Sequence, residues 1–209
     1  MSTHASVPRP DPLVDIVLCP TTGRALPGAT GWPMPAPVAG RTTVGTRSRA
    51  AILDGARRAV TANGTSITMA QIAARAGVAK ATLYNHFRDR ENVLGELLLA
   101  EIDELIASVS HLRLADALAQ AALAVSEHPL LEALGTHDSP ALAVLARVDV
   151  RSAGWARVAQ ATDRLLSANG RRGTPTVLRW LSSFIIAPAD DRDIVADVAV
   201  LVAGLPPAR

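Results

Sequence analysis

Cysteine and aromatic residues are scarce in this chain of 209 residues, and each shortage excludes a class of structure. Cys19 is the only cysteine, which excludes an intramolecular disulfide and a zinc site built on several thiolates. Aromatic residues make up 3% of the sequence and apolar residues 49%, so the core must consist mainly of Ala, Leu, Val and Ile. That composition favours closely packed helices over a β-sandwich.

Targeting signals, long apolar runs and catalytic motifs are also missing. The first residues lack the basic stretch and apolar run of a signal peptide. The apolar stretch around Phe184 is interrupted by Arg179 and Asp190 and is too short to span a bilayer. No phosphate loop, nucleophile elbow or zinc-protease pattern is present, and the spacing of His128 and His137 does not suit a metal. We therefore expect a cytoplasmic protein that is not an enzyme and has no catalytic residues, metal or cofactor.

Positive charge is concentrated in one short segment of the sequence. Residues 41–100 carry a net charge of +5, whereas residues 1–40 carry 0 and residues 101–209 carry −3. Such a segment is typical of a module that docks on phosphates, although a solvated surface would give the same count.

Most of the prolines lie in residues 1–45, which show no helical period. This composition predicts a disordered Pro/Gly-rich arm that contains Cys19. Arg41, Arg47 and Arg49 precede the predicted helices, where they could reach a minor groove or attract phosphates in general.

Helical periodicity begins at Thr46, and Asn63 and Gly64 end the first predicted helix. Breakers farther along divide the rest into about six more helices after a long fourth one, and no strand pattern stands out. The sequence thus predicts an all-α protein with a small domain over residues 46–92 and a larger one over residues 93–209.

The small domain contains a predicted helix-turn-helix. Thr68 and Gln71 have the spacing of a capping box at the start of the second helix. Gly77 ends that helix, where a left-handed conformation favours glycine. The third helix runs from about Ala79 to Phe87, and two short helices joined by a glycine turn are the helix-turn-helix pattern.

The third helix has the outward face that reading a DNA groove requires. With Leu83 at the centre of the buried face, Ala81 and Asn85 point outward and Thr82 and Tyr84 lie on the flanks. An amide can pair with adenine, and flanking hydroxyl or basic groups can bind phosphates. Each residue taken alone would be unremarkable on a surface. The combination with the capped helix and the turn indicates DNA binding.

The segment from Thr68 to Leu94 resembles the DNA-binding domain of TetR/AcrR-type bacterial transcriptional regulators. The matching elements are Ile72-Ala73, Ala76-Gly77-Val78, Leu83-Tyr84, His86-Phe87 and Arg90-Glu91. The resemblance implies phosphate contacts for Thr68, Tyr84, His86 and Arg90, and major-groove contacts for Lys80, Ala81, Thr82 and Asn85. For His86, packing is the alternative role. The sequence departs from the family at Ala79, where a capping Ser or Thr is usual, and also at Val60 and Thr65.

The same resemblance implies that the larger domain holds an effector pocket and a dimer face made by the last two long helices. Apolar stripes on those helices include Trp180, Leu181 and Phe184 on one and Val195, Val198 and Val202 on the other. They suit half of a four-helix bundle, or they simply pack on their own domain.

No motif identifies the pocket of the larger domain, and its Ala/Leu-rich interior favours an apolar effector. Six polar or aromatic residues are candidates, although each has an ordinary surface or core role as its alternative: His111, His128, His137, Arg151, Trp155 and Arg179. The carboxylates Glu101, Asp103 and Glu104 are interpreted as a solvated helix face.

The resulting hypothesis is a ligand-responsive repressor that binds a palindromic double-stranded DNA operator as a homodimer. The alternative is a helical small-molecule-binding protein with a weakened or lost DNA-binding domain, which the departure at Ala79 favours.

Overall fold

The structure, a computed structural model, describes residues 41–208, with side chains from Gly45 onward. Within this range the regular elements are ten helices, and the only extended pairing is an isolated bridge between Arg171 and Pro207. The helices are α1 (Arg41–Asn63), α2 (Met69–Ala76), α3 (Lys80–His86), α4 (Arg90–Val109), α5 (Leu114–Ser126), α6 (Pro129–His137), α7 (Ser139–Leu145), α8 (Ala153–Ala168), α9 (Thr174–Ile186) and α10 (Asp191–Gly204). The predicted all-α fold is confirmed.

The first helix begins at Arg41, five residues earlier than the sequence predicts. The last proline of the predicted arm is Pro37, so nothing between it and Thr46 prevents helix formation. The rest of the arm, including Cys19, lies outside the described residues.

Arg49 is part of α1 and is engaged within the protein, which corrects its placement ahead of the first helix. Its Nη2 donates to Oε2 of Glu96 at 2.6 Å, and its guanidinium carbon lies 5.0 Å from the centre of the Phe87 ring. These contacts join α1 to α4 and to the end of α3, so the role of Arg49 in this structure is packing. Arg47 is also in α1 and is exposed.

The first three helices pack around a small buried core. Ile52 of α1, Ile72 of α2, Leu83 of α3 and the adjacent Phe87 are all fully buried or nearly so. These are the positions that the helical period places on one face of each element.

That core continues into the larger domain. The same apolar cluster includes Leu94 of α4, Leu134 of α6, Leu145 of α7 and Trp155 of α8. The first three helices and the adjacent half of the larger domain therefore share one core. A change in packing on one side can reach the other through direct contact.

A second apolar cluster fills the far half of the larger domain, where α5, α9 and α10 meet. Its buried members include Leu118, Val177, Leu181, Phe184 and Ile194. Among residues 41–208 no helix has both the length and the apolar character needed to cross a bilayer.

Candidate nucleic-acid interface and ligand pocket

Helix α2 is closed at both ends by the devices that the sequence predicts. The Thr68 hydroxyl accepts from the Gln71 N–H at 3.2 Å, and the Gln71 side chain accepts from the Thr68 N–H at 2.8 Å. At the other end Gly77 has φ of 67°, and its N–H turns back to the carbonyls of Ala73 and Ala74. The capping box and the left-handed glycine turn are confirmed.

Helix α3 starts without a side-chain cap. Ala79 has the extended backbone of an N-cap residue but no polar atom to offer the first turn. The helix is held by burial of Leu83 and Phe87 instead. Asp89 then caps α4 by accepting from the Asn92 N–H at 2.8 Å.

The outer face of α3 carries polar side chains that have no partner among residues 45–208. Lys80, Ala81 and Asn85 are exposed, Tyr84 is 56% exposed, and Thr82 is half-buried. Within this range the side chains of Lys80, Thr82, Tyr84 and Asn85 make no hydrogen bond or ion pair. The face therefore offers donors and acceptors to a molecule outside the fold.

Three residues to which the resemblance gives phosphate contacts have intramolecular contacts in the structure. The Thr68 hydroxyl is exposed but caps α2. His86 is half-buried, with its ring centre 6.5 Å from that of Phe87. Arg90 donates to the carbonyls of Thr65 and Ile67, at 3.4 and 3.5 Å, and so ties the loop between α1 and α2 to α4.

The segment that carries this face matches a known family. Residues 52–97 match the family model described as bacterial regulatory proteins, tetR family. Over these residues the chain is similar to the DNA-binding domain of the TetR family. The match runs from the middle of α1 into the first half of α4, which includes the helix-turn-helix and the residues of the α3 outer face.

Solved structures of TetR-type regulators share the fold of this chain. The TetR family repressor AlkX from Dietzia is 18% identical with a TM-score of 0.54, covering 73% of this chain and 94% of its own. GusR of Salmonella enterica is 17% identical with a TM-score of 0.52, covering 75% and 94%. The fatty acid degradation regulator FadR from Bacillus halodurans is 17% identical with a TM-score of 0.52, covering 74% and 97%. No curated protein sequence matches the chain significantly.

A cavity of about 180 Å³ lies inside the larger domain and reaches the first domain. Its walls are mainly apolar, with Leu97 and Ile102 of α4, Leu134 of α6 and Ile185 of α9 among them. Val60 and Thr65 also line it, so the DNA-binding domain forms part of the wall.

Two of the six pocket candidates named from the sequence line this cavity. They are His128, just before α6, and Trp155 of α8. The other four, His111, His137, Arg151 and Arg179, are exposed and lie elsewhere. Among residues 41–208 no group of His, Cys, Asp and Glu side chains is arranged to hold a metal ion.

Glu101 lines the cavity, which corrects its interpretation as part of a solvated face. Its side chain is 13% exposed and bonds to Arg57 of α1 at 2.7 Å and to His128 Nε2 at 3.3 Å. Burial raises the pKa of Glu101, but the hydrogen bonds from His128 and Arg57 outweigh it and hold the pKa below its usual value. The signal was present in the sequence, because Glu101 follows Leu94 and Leu97 on the apolar face of α4.

Three of the six residues predicted for the dimer face are buried in the chain's own second core. They are Leu181, Phe184 and Val198, while Trp180 and Val202 are half-buried and Val195 is 54% exposed. The exposed side of α10 carries four apolar and mostly small residues, Ala196, Ala199, Val200 and Ala203, and three charged ones, Arg192, Asp193 and Asp197. Sequence reasoning missed the three alanines because alanine is a weak apolar signal.

Proposed function

We propose that this chain is a ligand-responsive repressor that binds a palindromic DNA operator as a homodimer. The observation that carries the proposal is the outer face of α3, where polar side chains without partners stand on a well-packed core. Burying unsatisfied polar groups is costly, so such a face suits a partner rich in donors and acceptors, such as the major groove.

The residues of α3 divide by reach and chemistry. Asn85 carries the amide suited to adenine, and the small Ala81 beside it allows close approach to base edges. Lys80 and Tyr84 lie at the margins of this face and suit the backbone phosphates, as does Thr82. We propose that Thr68 adds a phosphate contact at the start of α2. We propose that His86 and Arg90 act mainly by holding α2 and α3 in position.

The exposed face of α10 supports a homodimer. Val200 is 76% exposed, and the alanines around it would allow two helices to approach closely. Two copies related by a two-fold axis would present two α3 helices to successive major grooves, which reads more base pairs than one helix can. The contacts would come from Val195, Val200 and Val202 together with Trp180.

The position of the cavity supports control by a ligand. Thr65 lines the cavity and donates to the carboxylate of Asp138, at the start of α7, so a ligand there would touch the loop that leads into α2. A ligand that favours a different packing of this loop would change the distance between the two α3 helices of the proposed dimer. AlkX, which shares the fold, is a repressor. We propose that this chain likewise represses transcription.

Selection of bound duplexes from random DNA tests the proposal, followed by titration of the selected duplex at several salt concentrations. We expect a palindrome and a steep salt dependence. Asn85→Ala should relax discrimination at one base pair by about 1–3 kcal/mol. Tyr84→Phe should weaken binding to all duplexes alike, and Gln120→Ala, an exposed amide on α5, should change neither.

The alternative is a small-molecule-binding protein whose DNA-binding domain has lost its activity. The missing side-chain cap at Ala79 favours it, because the first turn of α3 is less firmly held. The same titration decides between the two. Equal affinity for the selected duplex and for bulk DNA would rule out the repressor and favour the small-molecule-binding protein.

A further inference from the structure

The polar donors around the cavity are already used within the protein. The Thr65 hydroxyl donates to Asp138, and the Ser152 hydroxyl donates to the Asp149 carbonyl at 2.8 Å. The indole N–H of Trp155 donates to the Leu145 carbonyl at 3.1 Å. A ligand that needs a donor from the wall would therefore have to break one of these buried bonds.

His128 is fixed as a donor to Glu101. Its Nδ1 accepts from the Leu130 N–H at 3.3 Å, which leaves the proton of the neutral ring on Nε2. That nitrogen lies 3.3 Å from Oε2 of Glu101. The imidazole thus offers the cavity no unused donor.

Glu101 is the polar group with capacity to spare. Arg57 donates to Oε1 through both Nε and Nη2 from outside the cavity, and His128 bonds to Oε2. A carboxylate can accept about four hydrogen bonds, so one position on Oε2 is left. The rest of the polar wall is saturated, so the wall lacks an acceptor of comparable strength. An anion in the cavity would lie beside this carboxylate and would find no free donor on the wall, because Arg57 and His128 already donate to Glu101.

The volume of the cavity suits a ligand that contains a single ring. A cavity of about 150 Å³ in another protein holds benzene, and this one is slightly larger at about 180 Å³. The buried Trp155 provides an aromatic surface in its wall, on which a cation or a ring can lie.

We infer that this pocket takes a ring-sized apolar amine whose ammonium group binds the carboxylate of Glu101. The inference rests on the proposed ligand response and adds the chemical class of the ligand. The ammonium takes the remaining position on Oε2, beside His128, and its positive charge then shares the carboxylate with Arg57 of α1. Binding thereby alters a contact between the larger domain and the DNA-binding domain.

Binding of three ring compounds to the full-length protein, measured by calorimetry without DNA, tests the inference. The compounds are benzylammonium, toluene and benzoate, which share a ring and differ in charge. We expect benzylammonium to bind about tenfold or more tightly than either of the others, since a charge-assisted hydrogen bond separates them. In Glu101→Gln this preference should fall to about threefold or less.

Glu104→Gln is the matched control, because Glu104 is on the same helix and also near Arg57 but is 76% exposed. It should retain the full preference for benzylammonium. If Glu101→Gln does not fold, the ranking of the three compounds on the unaltered protein still decides. Tighter binding of benzoate or toluene, no binding of benzylammonium, or an unchanged preference in Glu101→Gln would overturn the inference.

Release of the selected duplex by benzylammonium is a separate measurement. Preferential binding without release would support the ligand class and count against the proposed ligand response. Release of DNA by toluene or benzoate, with no preference for benzylammonium in binding, would support the proposed ligand response. It would count against the inferred ligand class.

Discussion

Gly55→Ala tests how tightly α1 and α2 must approach. A β-carbon at Gly55 would lie 2.6 Å from the backbone nitrogen, the Cα and the Cβ of Ala76. Ordinary contact starts at 3.4 Å, so the two helices would have to separate by about 0.8 Å. The atoms that obstruct are backbone and Cβ, which cannot rotate away.

The magnitude follows from two opposing effects. Replacing glycine by alanine within a helix ordinarily stabilises by about 0.5–1 kcal/mol. Overpacking of this kind costs about 1–3 kcal/mol, sometimes more, and the contact at Gly55 is with rigid atoms. We therefore expect a net loss of about 1–2 kcal/mol in the free energy of unfolding, or about 2–4 °C in Tm for each kcal/mol.

Urea and thermal unfolding followed by circular dichroism measure this loss. Gly135→Ala is the control, because Gly135 is an exposed residue of α6 whose β-carbon would meet no atom nearer than 3.6 Å. That variant should be as stable as the unaltered protein or slightly more so. The reasoning fails if Gly55→Ala equals or exceeds the control in stability.

Three further changes test the other elements. Ala79→Ser supplies the missing cap to α3 and should raise the free energy of unfolding by about 0.5–1 kcal/mol. An unchanged midpoint of urea unfolding would show that the first turn of α3 does not use a cap. Val200→Glu should convert the proposed dimer to a monomer in sedimentation, while Val150→Glu, at an exposed residue outside α10, should not. Equal effects of the two changes would remove α10 from the interface. Because the folded-state pKa of Glu101 is lowered, its ionised form stabilises the fold above its ordinary pKa of 4.5, and that contribution is lost as the pH falls below it. The difference in Tm between the unaltered protein and Glu101→Gln should therefore narrow on acidification. A difference that widens would contradict a lowered pKa of Glu101 in the folded protein.

The position of the cavity connects the proposed ligand binding to the proposed DNA binding. Its wall includes Val60 and Thr65 of the first domain, and Arg57 reaches Glu101 beside it. A ligand in the cavity therefore contacts the element that orients α2, and no long chain of intermediate contacts is required.

The sequence by itself determined the local structure of this protein. The capping box at Thr68, the turn at Gly77 and the outward position of Asn85 depend on neighbours within a few residues along the chain. Such features are set by backbone geometry and helical period, which a sequence states directly.

The tertiary structure alone decided which faces of the larger domain are covered. Glu101 was interpreted as solvated, yet α1 and the start of α6 enclose it, and Leu181 is turned into the chain's own core. An apolar stripe has the same period whether it meets its own domain or a second copy. Only the packing of distant helices determines which surface, such as Val200, is left exposed.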